Sequence, residues 1–320
     1  MRIRYFSGNL KTMKTLFSAC AVTIGAVIAM PVFACSICRC GDPTFNALGK
    51  EGVSQNGLRL ALDWDQTDKM QGNPADDFDT LHEQRLTALA AYGFSDRFGV
   101  YARLPFSQRE LTETVGAESG RVHANGLADP EIYAQARLWS SGFEGDVGTR
   151  ASVFAVFGIK TPWGENNASK NGQRLDEHVQ PGTGSTDWFA GLSGSYQVNP
   201  QSAVFASVQY RLTGRNDAGY QYGRVALVNL AYEHKLGARW DGVIEANYRH
   251  SGLDQIDASG ETDPDTGGSL VYITPRLLFS AGKGWVLRAA AQIPLSQSGL
   301  NGYQHENTVL NLGVTRLFRD

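Results

Sequence analysis

The chain has 320 residues, of which 42% are apolar, 19% charged and 10% aromatic, with 36 glycines, four cysteines and a formal net charge of −3. This aromatic and apolar content excludes a disordered chain. The near-neutral charge gives no global field for nucleic acid, the cysteines are too few for a disulfide-dense scaffold, and a single long apolar run excludes a bundle of membrane-spanning helices.

That run comes first. Arg2, Arg4, Lys11 and Lys14 precede Leu16–Met30, and Val32-Phe33-Ala34 places a small residue just before Cys35. A basic start, a short apolar core and a small-residue cleavage site predict a secretory signal peptide over residues 1–34. A membrane anchor is the alternative, but the core falls short of the ~20 residues of a spanning helix. Met13 is an alternative start. Cleavage leaves 25 basic and 32 acidic residues, a net −7.

Residues 35–56 form a cysteine-containing N-terminal segment on the periplasmic side, with Cys35, Cys38 and Cys40 within six positions. Haem attachment needs C-x-x-C-H, and Arg39 stands at the histidine position. Zinc usually takes four ligands, and three thiols remain after cleavage. Three readings stay open. Two thiols form a disulfide in an oxidising compartment; or all three hold a soft ion such as Cu(I), with Arg39 favouring the thiolates; or Cys35 is the lipidated first residue of the mature chain.

From Gly57 onward the apolar period is two. Leu58, Leu60, Leu62 and Trp64 alternate with Arg59, Ala61 and Asp63; Val271, Ile273, Pro275, Leu277 and Phe279 alternate with Tyr272, Thr274 and Arg276. Such alternation marks strands with one apolar and one polar face. Twelve segments are predicted, at roughly 57–66, 84–94, 97–110, 128–140, 146–161, 186–198, 201–213, 221–236, 238–251, 267–281, 283–297 and 308–318. Their connections alternate in length. Short turns fall at 95–97, 141–146, 199–201, 235–238 and 282–284. Long ones fall at 67–83, 111–127, 162–185, 214–220, 252–266 and 298–307.

A soluble sandwich has no reason to collect every short turn at one end. A transmembrane antiparallel β-barrel does, with short periplasmic turns and long outer loops. The all-β fold class is therefore a barrel of about twelve strands over residues 57–320, with both termini periplasmic. The apolar face meets outer-membrane lipid, and closure pairs every backbone group. Tyr92, Phe94, Trp188, Trp240 and Trp285 lie near strand ends, where aromatic girdles sit. The loops Asp68–Glu83 and Asp254–Asp265 are rich in carboxylates. They read as solvated, or as bridged by divalent cations to lipopolysaccharide; cation recruitment at the mouth is the alternative.

Strand parity puts Arg59, Arg85, Arg103, Glu131, Arg137, Arg211, Asp241, Glu245, Arg249, Arg276 and Arg288 on the lumen face, joined by Asp63, Lys160 and Glu233. Twelve strands lie between side-chain-filled barrels of about eight and open porins of 16–18. The lumen is then either a narrow polar pore with a basic bias or a salt-bridged plug.

Three stretches carry a family resemblance. They are Gly126-Leu127-Ala128-Asp129-Pro130, Phe157-Gly158-Ile159-Lys160-Thr161-Pro162-Trp163-Gly164 and Pro181-Gly182-Thr183-Gly184-Ser185-Thr186-Asp187. The chain resembles the outer-membrane transporter family of the MetA-pathway-of-phenol-degradation type. The resemblance implies passage of small molecules across the outer membrane, without a defined ligand. Ala128 stands where the family usually has glycine.

No hydrolase elbow, zinc-protease helix motif or phosphate loop occurs, since Gly191-Leu192-Ser193-Gly194-Ser195 fails at its last position. The sequence reading is therefore a non-enzymatic channel for small solutes, linked to metal or redox chemistry through the cysteine segment. Two alternatives remain. One is an adaptor barrel that docks a periplasmic redox or metal carrier; the other is a barrel-embedded hydrolase with a Ser–His pair on its wall.

Overall fold

The computed structural model describes residues 57–72, 77–115, 118–142, 149–297, 300 and 304–318. The expected signal peptide and the segment 35–56, with Cys35, Cys38 and Cys40, lie outside the described residues.

Twelve strands follow one another: β1 (Leu58–Gly72), β2 (Asp77–Gly93), β3 (Phe98–Val115), β4 in two pieces (Glu118–Leu127 and Glu131–Gly142), β5 (Thr149–Lys160) and β6 (Asp187–Asn199). The second half comprises β7 (Ser202–Leu212), β8 (Val225–Lys235), β9 (Trp240–Ser251), β10 (Gly268–Gly282), β11 (Trp285–Ser296) and β12 (Val309–Phe318). Each strand pairs antiparallel with its chain neighbours, and β12 pairs with β1 from Leu58↔Phe318 to Gln66↔Leu310, so the sheet closes. Closure removes the edges that a bilayer would leave unsatisfied.

The two faces separate by parity. In β1, Arg59, Asp63, Asp65, Thr67 and Lys69 are buried, while Leu60 and Leu62 are 42% and 43% exposed. This inverts a soluble core: polar atoms are inside and leucine is outside, as suits a lipid-facing wall. Aromatic side chains mark the rims. At the short-turn rim Tyr92 packs on Phe94 at 4.9 Å, Trp240 on Phe279 at 4.5 Å, and the Arg316 guanidinium lies 5.3 Å from the Trp285 ring. At the opposite rim Phe157 stacks on Trp188 at 5.6 Å. Arg316 thereby keeps its charge against the rim aromatics, 5.1 Å from the Phe318 ring as well.

All twelve predicted segments contain a strand, and the described parts of two expected loops are strand as well. Residues 67–72 and 77–83 continue β1 and β2 as one ladder, with Lys69↔Leu81 and Gly72↔Phe78 paired. Likewise, 111–115 and 118–127 prolong the β3–β4 hairpin. One wall of the barrel is therefore taller than the rest. The acidic residues Asp79 and Glu83, read as solvated loop, lie on β2, and Glu83 is buried. Sequence alternation is weak here because both faces of the extension carry polar residues.

Strand β4 breaks at Ala128-Asp129-Pro130. Its first piece pairs with the upper half of β3 and its second with the lower half and with β5. Pro130 cannot donate to a ladder, and the residue before it is pushed from helical geometry, so the strand steps there.

Candidate functional site in the barrel interior

The break in β4 creates a densely connected cluster in the interior. The Asp129 carboxylate accepts hydrogen bonds from the Gly164 amide (3.0 Å), the Thr183 amide (2.7 Å) and the Thr183 hydroxyl (2.6 Å). The Lys160 ammonium pairs with Asp129 at 2.9 Å and Asp187 at 3.2 Å, and donates to the Ser185 carbonyl at 3.0 Å. Lys160, Asp129 and Asp187 are all nearly inaccessible to solvent. Such ions are stable in the interior only when paired and hydrogen-bonded. The glycines here are steric requirements: a Cβ on Gly182 would lie 2.9 Å from Asp129 Oδ1, and Gly184 adopts a φ of 66°.

These contacts pin both ends of the long connection 161–186 to the strand break. Between its pinned ends the connection turns inward. Val179 is fully buried against Leu81, Leu111 and Ala124 of β2, β3 and β4. Arg109 on β3 donates to the carbonyls of His178 (3.0 Å) and Gln180 (2.5 Å). Tyr222, from the connection 213–224, donates to the Glu177 carbonyl at 2.8 Å. The long-loop mouth is thus narrowed by a built segment rather than by loose chain.

Below this segment the predicted interior charges are found in pairs. Glu131 bridges Arg103 (2.7 Å) and Arg211 (2.6 Å), and Arg211 approaches Asp187. Arg85 and Arg109 share Glu83, which also accepts from the Ser107 hydroxyl at 2.7 Å. Arg276 pairs with Glu245 at 2.9 Å, Arg249 with Glu306 at 2.9 Å, and Arg288 with Asp63 at 2.6 Å. Arg137 pairs with Asp96 in the short turn after β2, and Asp241 is half-buried near the start of β9. Arg59 lies 6.0 Å from the Tyr101 ring. Sequence reasoning left out Lys69, Glu83 and Glu306, because it assigned their positions to loops, and it passed over Arg109 at the end of the predicted strand 97–110. The pair partners come from strands far apart in sequence, a distance that parity alone cannot bridge.

One strip of this interior is aromatic. Tyr101 and Tyr133 stack with centroids 4.7 Å apart and nearly parallel planes, and Phe189 continues the row at 5.9 Å. The Arg211 guanidinium lies 4.8 Å from the Phe189 ring. Gly158 makes the row fit, because a Cβ there would strike Phe189 and Tyr133.

The Asp63–Arg288 pair has a steric counterpart of its own. A Cβ on Gly313, which faces Asp63 across the β1–β12 pairing, would collide with the carboxylate and crowd the guanidinium. Gly313→Val is expected to cost about 1–3 kcal/mol by overpacking. The temperature at which the folded band is lost in gel electrophoresis measures this. Gly237→Val, where an added Cβ meets nothing, is the neutral reference.

Two Ser–His contacts occur on the outer wall: Ser202 Oγ to His234 Nδ1 at 2.8 Å and Ser269 Oγ to His250 Nδ1 at 3.0 Å. Among the described residues neither ring has a carboxylate on its other nitrogen, the group that orients the base in a catalytic triad.

One solved structure agrees with this architecture. The chain is similar to the COG4313 outer membrane channel from Pseudomonas putida F1, with a TM-score of 0.64 and 14% identity over 84% of this chain and 97% of that one. It is also similar to the translocator domain of the autotransporter NalP from Neisseria meningitidis, with a TM-score of 0.49 and 13% identity over 96% of this chain and 98% of that one. No curated protein matches the chain. The profile of the family described by the MetA-pathway of phenol degradation matches residues 65–312, a span that holds Asp129, Lys160 and Asp187, and the chain belongs to that family.

Proposed function

We propose that the protein is an outer-membrane channel for small aromatic solutes, which pass along the Tyr101–Tyr133–Phe189 strip. The carrying observation is that strip. A polar interior does not need three contiguous rings, whereas a solute with a π-face gains from stacking on them. The guanidiniums of Arg59 and Arg211 lie against the same rings and add cation–π character to the strip. The inner charges are matched in pairs, which favours polarity without a strong net field. The inward segment 175–186 is then the gate at the outer mouth, and the short turns face the periplasm.

Flux in proteoliposomes tests this reading. Benzoate is expected to enter faster than hexanoate, and Tyr133→Ala is expected to remove the preference while conductance persists. Equal wild-type rates would overturn the aromatic route. A barrel with no current at any voltage would instead favour the adaptor reading, in which Cys35, Cys38 and Cys40 meet a periplasmic carrier. For orientation, a tag within 162–185 is expected to be labelled on intact cells, and one at Asn199-Pro200 is not.

A further inference from the structure

His178 occupies a position that the channel reading does not use. It lies on the inward segment of the connection 161–186. Its Nδ1 is 2.8 Å from Asp176 Oδ1 on the same connection. Its Nε2 is 3.4 Å from Asp254 Oδ2 on the connection 252–267 and 3.3 Å from the Tyr220 hydroxyl on the connection 213–224. One imidazole therefore joins three separate loops. Tyr220 and Tyr222 pack edge-on against the ring, with centroids 5.9 and 6.2 Å away.

The two carboxylates set the proton count. A neutral imidazole donates from one nitrogen and presents a lone pair at the other. Here both nitrogens face a carboxylate, so a neutral ring turns one lone pair toward a negative charge. The doubly protonated ring donates on both sides. Among the described residues, the cations near this junction are engaged elsewhere. Arg174 is engaged by Glu177 at 3.0 Å, and Arg109 reaches the segment through backbone carbonyls. Asp79 on β2 adds negative charge near Asp176. Asp254 is fixed on its other sides by the Tyr220 hydroxyl (2.6 Å) and the Gly223 amide (2.6 Å), both of them neutral. Asp176 is itself largely exposed, and the ring and amide of His178, with Arg174, outweigh its partial desolvation and hold its carboxyl below the usual range.

We infer that His178 is a proton-operated latch: its imidazolium ties the connections 161–186, 213–224 and 252–267 together and keeps the inward segment seated, and loss of one proton releases it. Seating is complete at acidic pH and weakens as pH rises through the titration of the ring. The opposite sign would require the ring to bind as a base, and the Tyr220 hydroxyl near Nε2 already donates to Asp254 at the shorter distance of 2.6 Å. As a gate, the latch rests on the channel reading; as a loop junction, it does not.

The test uses the purified full-length chain in detergent, digested with proteinase K between pH 5.5 and 8.5. A denatured substrate in each tube corrects for the activity of the protease. Cutting within 161–186 is expected to be about tenfold faster at the alkaline end, the order expected for losing one charge-assisted hydrogen bond. His178→Gln is expected to cut fast at every pH. Asp254→Asn, which keeps the ring, is expected to flatten the profile as well. The folded band in gel electrophoresis checks that both variants assemble. A wild-type pH profile retained in His178→Gln would overturn the latch, as would a flat profile in the wild type. Bilayer conductance separates the two proposals. Current that rises with pH alongside cutting supports both, pH-dependent cutting without current at any pH defeats only the channel, and steady current with pH-flat cutting defeats only the latch.

Discussion

Replacing Lys160 with methionine is expected to be the most damaging single change in the interior. The substitution keeps the length of the side chain but leaves the Asp129 and Asp187 carboxylates buried beside each other without their shared ammonium. Breaking a buried ion pair from one side costs about 3–5 kcal/mol. The loss falls on both ends of the connection 161–186 at once, since Asp129 also holds Gly164 and Thr183. A large drop in the temperature of unfolding is expected, with protease cutting of 161–186 at all pH values. Adding Asp187→Asn to Lys160→Met is expected to recover part of the loss, because one stranded charge disappears. No recovery would mean that Lys160 acts through packing rather than charge.

The second large effect lies on the opposite face. Leu192→Arg and Leu277→Arg put a cation on the outer wall, where these leucines are exposed on strands β6 and β10. An arginine near the bilayer midplane costs about 2–4 kcal/mol, and close to 0–1 near an interface. Equilibrium folding into phospholipid vesicles is expected to show the full cost at both sites. Leu236→Arg, in the short turn before β9, is expected to fold like the wild type. Equal effects at all three positions would mean that depth, and hence the lipid-facing assignment, is wrong.

The fold was largely legible because lipid reverses the usual burial rule without changing its period. Leu58, Leu60 and Leu62 announce a strand whether lipid or a core covers them, and the grouping of short turns at one end points to lipid. The heights of the strands were less legible. Past Thr67 and Leu111 both faces turn polar, so a ladder and a loop have the same composition. The motif stretches around Asp129, Lys160 and Asp187 could be recognised one by one. Their meeting at a single carboxylate depends on a strand step at Pro130 and on a connection folding back 54 residues later in the chain, as in the Thr183–Asp129 contact. The charge pairs were hidden for the same reason. Parity gives the side of the wall, and partnership needs the register of strands that are remote in sequence. Val179 carried no signal at all, being one apolar residue in a polar loop.

The glycine opposite Asp63 has a bearing on how the barrel finds its own seam. Side chains repeat their facing every two residues, so a two-residue slip between the first and last strands preserves inside and outside. Lipid detects such an error poorly: a slip one way sets Leu60, Leu62 and Trp64 against Val314, Leu312 and Leu310, and a slip the other way sets them against Phe318, Arg316 and Val314, where the observed partners are Arg316, Val314 and Leu312. The interior detects it well. In the observed pairing Asp63 faces Gly313, and the space left by the missing side chain admits Arg288. A slip sets Asp63 against Asn311 or Thr315, fills that space, and leaves the guanidinium without its carboxylate. Alignment at the seam is thus proofread by charge and volume from within, where one wrong step is costly, while the lipid side enforces only which way the wall faces.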